Sequence, residues 1–233
     1  MTDSAVPARY TARSYAAVRF LAQRALMKPA VWTQSRVTVL GRDRIGGLDG
    51  PFIVVANHLS HLDAPLIFGA LPARLCRHLA AGAAADYFFD VPWRRALTAL
   101  FFNAFPVHRT GQKPDARSVS ASALLRNGLP VLIFPEGSRS RDGRTAPFRT
   151  GAARLAIEAG LPCLPVAVVG TDLAQPPGRN WPRFGRPAVG VAFGDPLYPP
   201  PGAGPAAFTD RLQAEVTRLK TASAPRILRA PEL

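Results

Sequence analysis

Pro51-Phe52-Ile53-Val54-Val55-Ala56-Asn57-His58-Leu59-Ser60-His61-Leu62-Asp63-Ala64-Pro65-Leu66-Ile67-Phe68 joins a short uncharged run to a polar turn and then to a second apolar run. The first run is brief and β-branched, the mark of a strand buried on both faces. Pro65 lacks the N–H that a helix interior must donate, so it belongs in a helix's first turn. The helix therefore starts near Leu62 or Asp63, with His58 in the turn before it. Such a strand–turn–helix unit is the repeating element of an α/β fold. Its turn carries an imidazole and a carboxylate. Imidazole takes up a proton near neutral pH, and a carboxylate can fix its tautomer and stabilise the imidazolium. Structural roles compete with that chemistry. Aspartate is among the best N-caps, and His58 could be a core histidine bonded to a carbonyl. His61 is a second imidazole, expected to be an exposed neighbour.

The same alternation continues along the chain. Apolar runs at Arg36–Leu40, 75–80, 104–107, 131–134, Cys163–Val169 and Ala188–Phe193 read as strands. Helical stretches at 64–70, 83–102, 115–126, Gly151–Ala159 and 206–220 lie between or after them. The pattern predicts a single α/β domain whose central sheet is mixed but largely parallel and flanked by helices. Asn127-Gly128 and Gly160 stand where helix C-caps belong. Residues 1–35 read as an N-terminal amphipathic helical segment ahead of an α/β domain at 36–233. Within it, a helix over about 8–30 puts Arg9, Arg13, Arg24 and Lys28 on one side. Tyr15, Val18, Ala22, Ala25 and Leu26 fall on the other. This helix either lies in an anionic membrane interface or packs on the core with its arginines solvated.

Lys plus Arg number 29 against 15 Asp plus Glu, a formal charge of +14. Such a surface attracts polyanions: nucleic acid, acidic protein, anionic lipid or a phosphorylated substrate. No RRM, helix-turn-helix or zinc-finger pattern accompanies the charge, so nucleic acid is not an expected partner. Cys76 and Cys163 are far apart, without metal-ligand or CxxC spacing, and read as buried free thiols in a reducing compartment. No apolar stretch reaches the roughly 18 residues that a spanning helix needs. The N-terminus lacks the pattern of a signal peptide. The expected location is the cytosol or the cytoplasmic face of the cell membrane, held peripherally.

A second cluster sharpens the chemistry. The run Val131-Leu132-Ile133-Phe134 ends abruptly at Pro135-Glu136-Gly137-Ser138-Arg139-Ser140-Arg141. Guanidinium forks grip phosphate oxygens, and a carboxylate can orient an arginine or accept a hydroxyl proton. Phe105-Pro106-Val107-His108-Arg109 ends another strand with an arginine beside a turn. In open α/β sheets, ligands gather at the C-terminal ends of strands, where all three segments lie. Leu161-Pro162-Cys163-Leu164-Pro165-Val166-Ala167-Val168 bears no catalytic side chain and reads as a wall.

In this order, NHxxxxD, PVHR, FPEGSRS and LPxLPVAV resemble the glycerolipid acyltransferases typified by 1-acyl-sn-glycerol-3-phosphate acyltransferases. Phe148-Arg149-Thr150-Gly151-Ala152-Ala153 looks like the family's helix start after the FPEG loop. The resemblance implies His58 as general base and Asp63 as its orienting partner. It implies an acceptor phosphate site built from Arg109, Glu136, Gly137, Ser138 and Arg139. It also implies no bound cofactor; the co-substrate is acyl-CoA or acyl carrier protein, and the acceptor a lysophospholipid at an anionic membrane surface. Two departures stand out. Ala81-Gly82-Ala83-Ala84 occupies the place where family members often carry a lysine, and the family's N-terminal two-helix or spanning segment is reduced to about one helix.

The expected reaction moves an acyl chain from a thioester to the free hydroxyl of lysophosphatidic acid or a similar lysolipid, without a covalent enzyme intermediate. Glycerol-3-phosphate or a lyso-ornithine lipid are alternative acceptors. Ser60 and Ser138 are rival nucleophiles, though neither sits in a GxSxG elbow. A non-enzymatic polyanion binder is the alternative of another class, and it leaves the His/Asp and Glu/Arg turns unexplained. The proline-rich segment 176–187 could touch a bilayer or line an acyl channel; the favoured reading is a surface loop with Trp181 and Phe184 tucked inward.

Overall fold

The computed structural model describes residues 6–84, 91–107, 119–140, 142–176, 178–179 and 181–229. Its strands are β1 (Arg36–Leu40), β2 (Ile53–Ala56), β3 (Ala80–Ala84), β4 (Phe105–Val107), β5 (Val131–Ile133), β6 (Cys163–Val169) and β7 (Ala188–Phe193). They form one seven-stranded sheet in the order β1-β7-β6-β2-β5-β3-β4. Neighbours are parallel except β6 and β7, which run antiparallel. The single α/β domain with a largely parallel mixed sheet is the architecture expected from the alternation of runs.

The alternation of side chains along each strand divides the core in two. Val54, Ala56, Leu164, Val166 and Val168 face α4 (Asp63–Ala70) through Leu66, Ile67 and Phe68. Ile53, Val55, Val131 and Cys163 face the other way. They meet α7 (Ala121–Arg126), α8 (Gly151–Ala159) and α10 (Pro205–Leu228) through Leu124, Ala153, Ala156, Leu212 and Val216. Each fully buried side chain of Leu or Phe size contributes about 2 kcal/mol, so β2 is the part of the sheet hardest to move. The turn that follows β2 inherits that rigidity. Gly160 closes α8 in the left-handed region at φ 64, as the C-cap reading required.

Two boundaries differ from expectation. The leucine-rich stretch at 75–80 is not a strand: α5 (Ala73–Cys76) turns there, and the strand is the small-residue segment that follows. Ala83 and Ala84 therefore belong to β3 rather than to a helix, and among the described residues the helix expected over 83–102 is α6 (Pro92–Phe102). Alanine's high helix propensity is overruled by packing. A Cβ on Gly82 would stand 2.9 Å from Val107 Cγ2, so β3 can lie against β4 only with minimal side chains. Ala81-Gly82-Ala83-Ala84, expected to follow a strand at 75–80, thus lies within β3. The helix expected over 115–126 spans Ala121–Arg126 among the described residues and is N-capped by Ser120, which accepts from Ala123 N at 3.2 Å.

The N-terminal segment differs more. It comprises α1 (Ala8–Thr11), an extended Ala12, α2 (Arg13–Ala22), a π-turn at Gln23–Met27 and α3 (Lys28–Gln34). Lys28 N donates to Gln23 O, five residues back. That wider turn lets the helix carry Pro29, which cannot donate, and run on to Gln34. Arg9, Arg19 and Arg24 face the body, which departs from a core-packed helix with solvated arginines. Arg9 donates to Ala104 O at 3.2 Å, and Arg24 to Gly69 O and Leu71 O at 3.2 and 2.9 Å. Arg19 is only 4% exposed. Tyr15, Val18, Leu21 and Leu26 stand in solvent instead. Side-chain arginines serve as donors to the otherwise orphaned carbonyls at the end of α4, which turns the cationic side inward. Among the described residues, no helix is long and apolar enough to cross a membrane.

The proline-rich loop is a further correction. Trp181 is 74% exposed and Phe184 fully so, at 103%, so neither aromatic is tucked inward. Prolines and the left-handed residues Gly185 (φ 93) and Arg186 (φ 52) turn this backbone away from the body.

Candidate active site

β2 delivers Asn57 to the sheet's end. Its Nδ2 donates to Val168 O at 3.0 Å and its Oδ1 accepts from Val168 N at 2.8 Å. The side chain thus extends the ladder to β6 by one more step and fixes where His58 begins.

His58 Nδ1 lies 2.8 Å from Asp63 Oδ2. The same oxygen accepts from Leu59 N at 2.6 Å and Ser60 N at 2.9 Å, while Oδ1 accepts from Thr171 Oγ1 at 2.6 Å. Asp63 is the first residue of α4 rather than its N-cap, which is Leu62. Its carboxylate reaches back over the turn and holds it closed. A carboxylate only accepts, so Nδ1 must carry the proton. The lone pair is thereby left on Nε2. The imidazole is 21% exposed, against 0% for the Asp63 side chain. One of its faces stacks on Phe134, with centroids 4.1 Å apart and rings inclined by 17°.

The loop after β5 is laced to this turn. Glu136 Oε1 accepts from His58 N at 2.7 Å, and Oε2 accepts from Ala146 N at 2.8 Å. Ser140 N donates to His58 O at 2.8 Å. Burial pushes the Glu136 carboxyl above the usual range, opposed by these two backbone donors. Both of its oxygens are thus engaged with the protein's own backbone. Gly137, Ser138 and Arg139 form the exposed tip. Gly137 is left-handed at φ 75, and a Cβ there would stand 3.0 Å from Arg149 Cζ. Arg149 therefore shares the rim with this tip, a placement that its position at a helix start did not reveal.

Arg109, with His108 and Arg141, lies outside the described residues. Its strand, β4, ends at Val107. His61 is half-buried rather than exposed. Burial, then the charge of Arg139 and then His58, push it down to about 4, so it is neutral when His58 would act. Ser60 is buried; its Oγ donates to Gln175 Oε1 and accepts from Leu62 N, which commits it to the turn. Among the described residues, no cluster of His, Cys, Asp or Glu is arranged to hold a metal.

Sequence reasoning missed Thr171 and the stacking partner Phe134. Thr171 stands 108 positions from Asp63 along the chain, and only its place directly after the β6 run signalled that it reaches the same end of the sheet.

A sequence model of the family described as Acyltransferase matches residues 36–169, more than half of the chain. The 1-acyl-sn-glycerol-3-phosphate acyltransferase of Chlamydomonas reinhardtii is 31% identical over 148 residues, covering 62% of this chain and 42% of that protein. The one from Borreliella burgdorferi is 28% identical over 154 residues, covering 66% and 59%. The chain spans about half the length of the curated relatives it matches. Among solved structures, the 1-acyl-sn-glycerophosphate (LPA) acyltransferase PlsC from Thermotoga maritima superposes with a TM-score of 0.69 at 28% identity. That match covers 93% of this chain and 83% of that one. With the sheet order, the His/Asp turn and the family match in agreement, the chain belongs to the acyltransferase family.

Proposed function

We propose that this protein transfers an acyl chain from a thioester to the free hydroxyl of lysophosphatidic acid, with His58 as general base. His58 Nε2 removes the hydroxyl proton as that oxygen bonds to the thioester carbonyl carbon. The carbon–sulfur bond then breaks, and His58 returns the proton to the departing thiolate. Asp63 holds the tautomer and stabilises the imidazolium, and base catalysis of this kind contributes roughly 10²–10⁴-fold. Thr171 positions Asp63 from its far side, and Phe134 limits the ring's rotation. Arg139 and Arg149, with Arg109, hold the acceptor phosphate, where fixed orientation of the hydroxyl contributes several kcal/mol. Glu136 serves the site as a brace between its two loops.

The observation that carries this reading is the 2.8 Å contact between Nδ1 and a fully buried carboxylate, which leaves Nε2 as the ring's basic atom. Ser60 draws no support as a nucleophile, since its Oγ is committed to Gln175 and Leu62. The donor is acyl-CoA or acyl carrier protein. The protein works peripherally on the cytoplasmic face of an anionic membrane, which the outward apolar row of α2 and the +14 charge favour. A thiol-release assay with each donor and a panel of lysolipids tests the reading. Release dependent on lysophosphatidic acid is expected. Release only with glycerol-3-phosphate or a lyso-ornithine lipid would reassign the acceptor, and release with none would overturn acyl transfer.

A further inference from the structure

The segment 176–187, between α9 (Thr171–Ala174) and β7, is the most exposed aromatic feature beside the site. It stands at the C-terminal end of β6, the end that carries Asp63 and Thr171. Its base is tied to the site's own turn: Ser60 Oγ donates to Gln175 Oε1, and Gln175 Nε2 donates to Arg179 O at 3.2 Å. Arg183 N donates to Ala174 O at 2.7 Å, and Arg186 donates to Trp32 O at 3.3 Å. From this anchored base, Trp181 and Phe184 project into solvent. Arg179, Arg183 and Arg186 share the loop with them, and it contains no acidic residue.

We propose that this loop is a bilayer-docking element that inserts Trp181 and Phe184 into the headgroup region of an anionic membrane, so that the mouth of the site meets the lipid surface. The proposal rests on the acyl-transfer reading for its purpose, though not for its physics. A Phe side chain exposed at 103% has no wall beside it, which rules out the lining of an acyl channel. A tryptophan and a phenylalanine among arginines match the bilayer interface, where indole sits at headgroup level and guanidinium groups meet lipid phosphates. An acidic carrier protein would need the arginines alone and would leave the two rings unexplained.

The test uses the full chain and a Trp181→Ala/Phe184→Ala variant. Sedimentation with phosphatidylglycerol/phosphatidylcholine vesicles should fall at least about 10-fold in the variant. Thiol release on a short-chain, monomeric lysophosphatidic acid should stay within about twofold of wild type. A second pair, Arg179→Gln/Arg183→Gln, should lose only the part of binding that depends on phosphatidylglycerol. In a Trp32→Phe/Trp93→Phe background, which leaves Trp181 as the one tryptophan of the three, its fluorescence should shift to the blue when vesicles are added. Unchanged sedimentation of the first variant, with no blue shift, would overturn the proposal. So would normal vesicle binding with a raised KM for acyl carrier protein, which would make the loop a carrier-protein contact. If wild type releases thiol with no acceptor, the acyl-transfer reading fails while the vesicle measurements still judge the loop.

Discussion

Asp63 does two jobs with one carboxylate: Oδ2 closes the turn and holds the imidazole, while Oδ1 is held by Thr171. Removing the hydroxyl frees Oδ1, so the carboxylate and the imidazole it holds lose part of their fixed orientation. Thr171→Val should therefore lower kcat about 10-fold with the acceptor KM unchanged, and Thr171→Ser should restore it. A kcat that Thr171→Ser fails to restore would reduce Thr171 to a packing residue. His61 supplies a separate prediction about stability. Its folded value of about 4 lies below the ordinary 6.5, so the unfolded chain binds the extra proton first. Stability is then lost as pH falls from 6.5 towards 4. His61→Gln should show a smaller drop in Tm between pH 7 and pH 5 than wild type, measured by thermal denaturation. The pairing of His58 with Asp63 was legible from the turn that Pro65 defines. Thr171 was not, because nothing local links a threonine to a carboxylate 108 positions away.

At the level of elements, the strands that carry the site were readable because they are short, uncharged and bounded by turns. β3 was not: its Ala/Gly composition is set by the approach of β4, a contact invisible in local propensity. The N-terminal helical segment over about 8–30 was readable as amphipathic, yet its polarity is inverted at Arg9, Arg19 and Arg24. Arg9 and Arg24 face carbonyls of the body, where a periodicity argument places apolar side chains. Arg19 on the same face is a liability. It is 4% exposed, its Nε and Nη2 lack hydrogen-bond partners among the described residues, and burial pushes it down to about 10. Replacing a buried, underpaired charge with an apolar side chain of similar length is neutral or stabilising by about 1–4 kcal/mol. Arg19→Met should accordingly keep or raise Tm. A clear fall would mean that the guanidinium has a partner that the described residues do not supply. The exposed Trp181 and Phe184 carry the opposite lesson, since a sequence alone does not tell whether an aromatic in a proline-rich loop points in or out.

For the molecule as a whole, parallel topology gathers the turns after β2 and β5, and the residue after β6, at one end of one sheet. The His/Asp turn and the Glu136 loop meet there through two hydrogen bonds, from His58 N to Glu136 Oε1 and from Ser140 N to His58 O. The two thiols report on the integrity of that sheet. Cys76 and Cys163 are buried and free, and burial pushes each up to about 12. A thiol reagent at pH 8 should label neither in the native protein and both after unfolding in guanidinium; rapid native labelling would show the core to be open. The central claim is that the buried carboxylate of Asp63 presents His58 as the base. Thiol release by His58→Ala, measured with a lysophosphatidic acid acceptor beside its thermal unfolding, tests this most directly. The account predicts a loss of at least about 10²-fold in kcat with Tm within a few degrees of wild type, whereas a folded variant that turns over at near wild-type rate would contradict it.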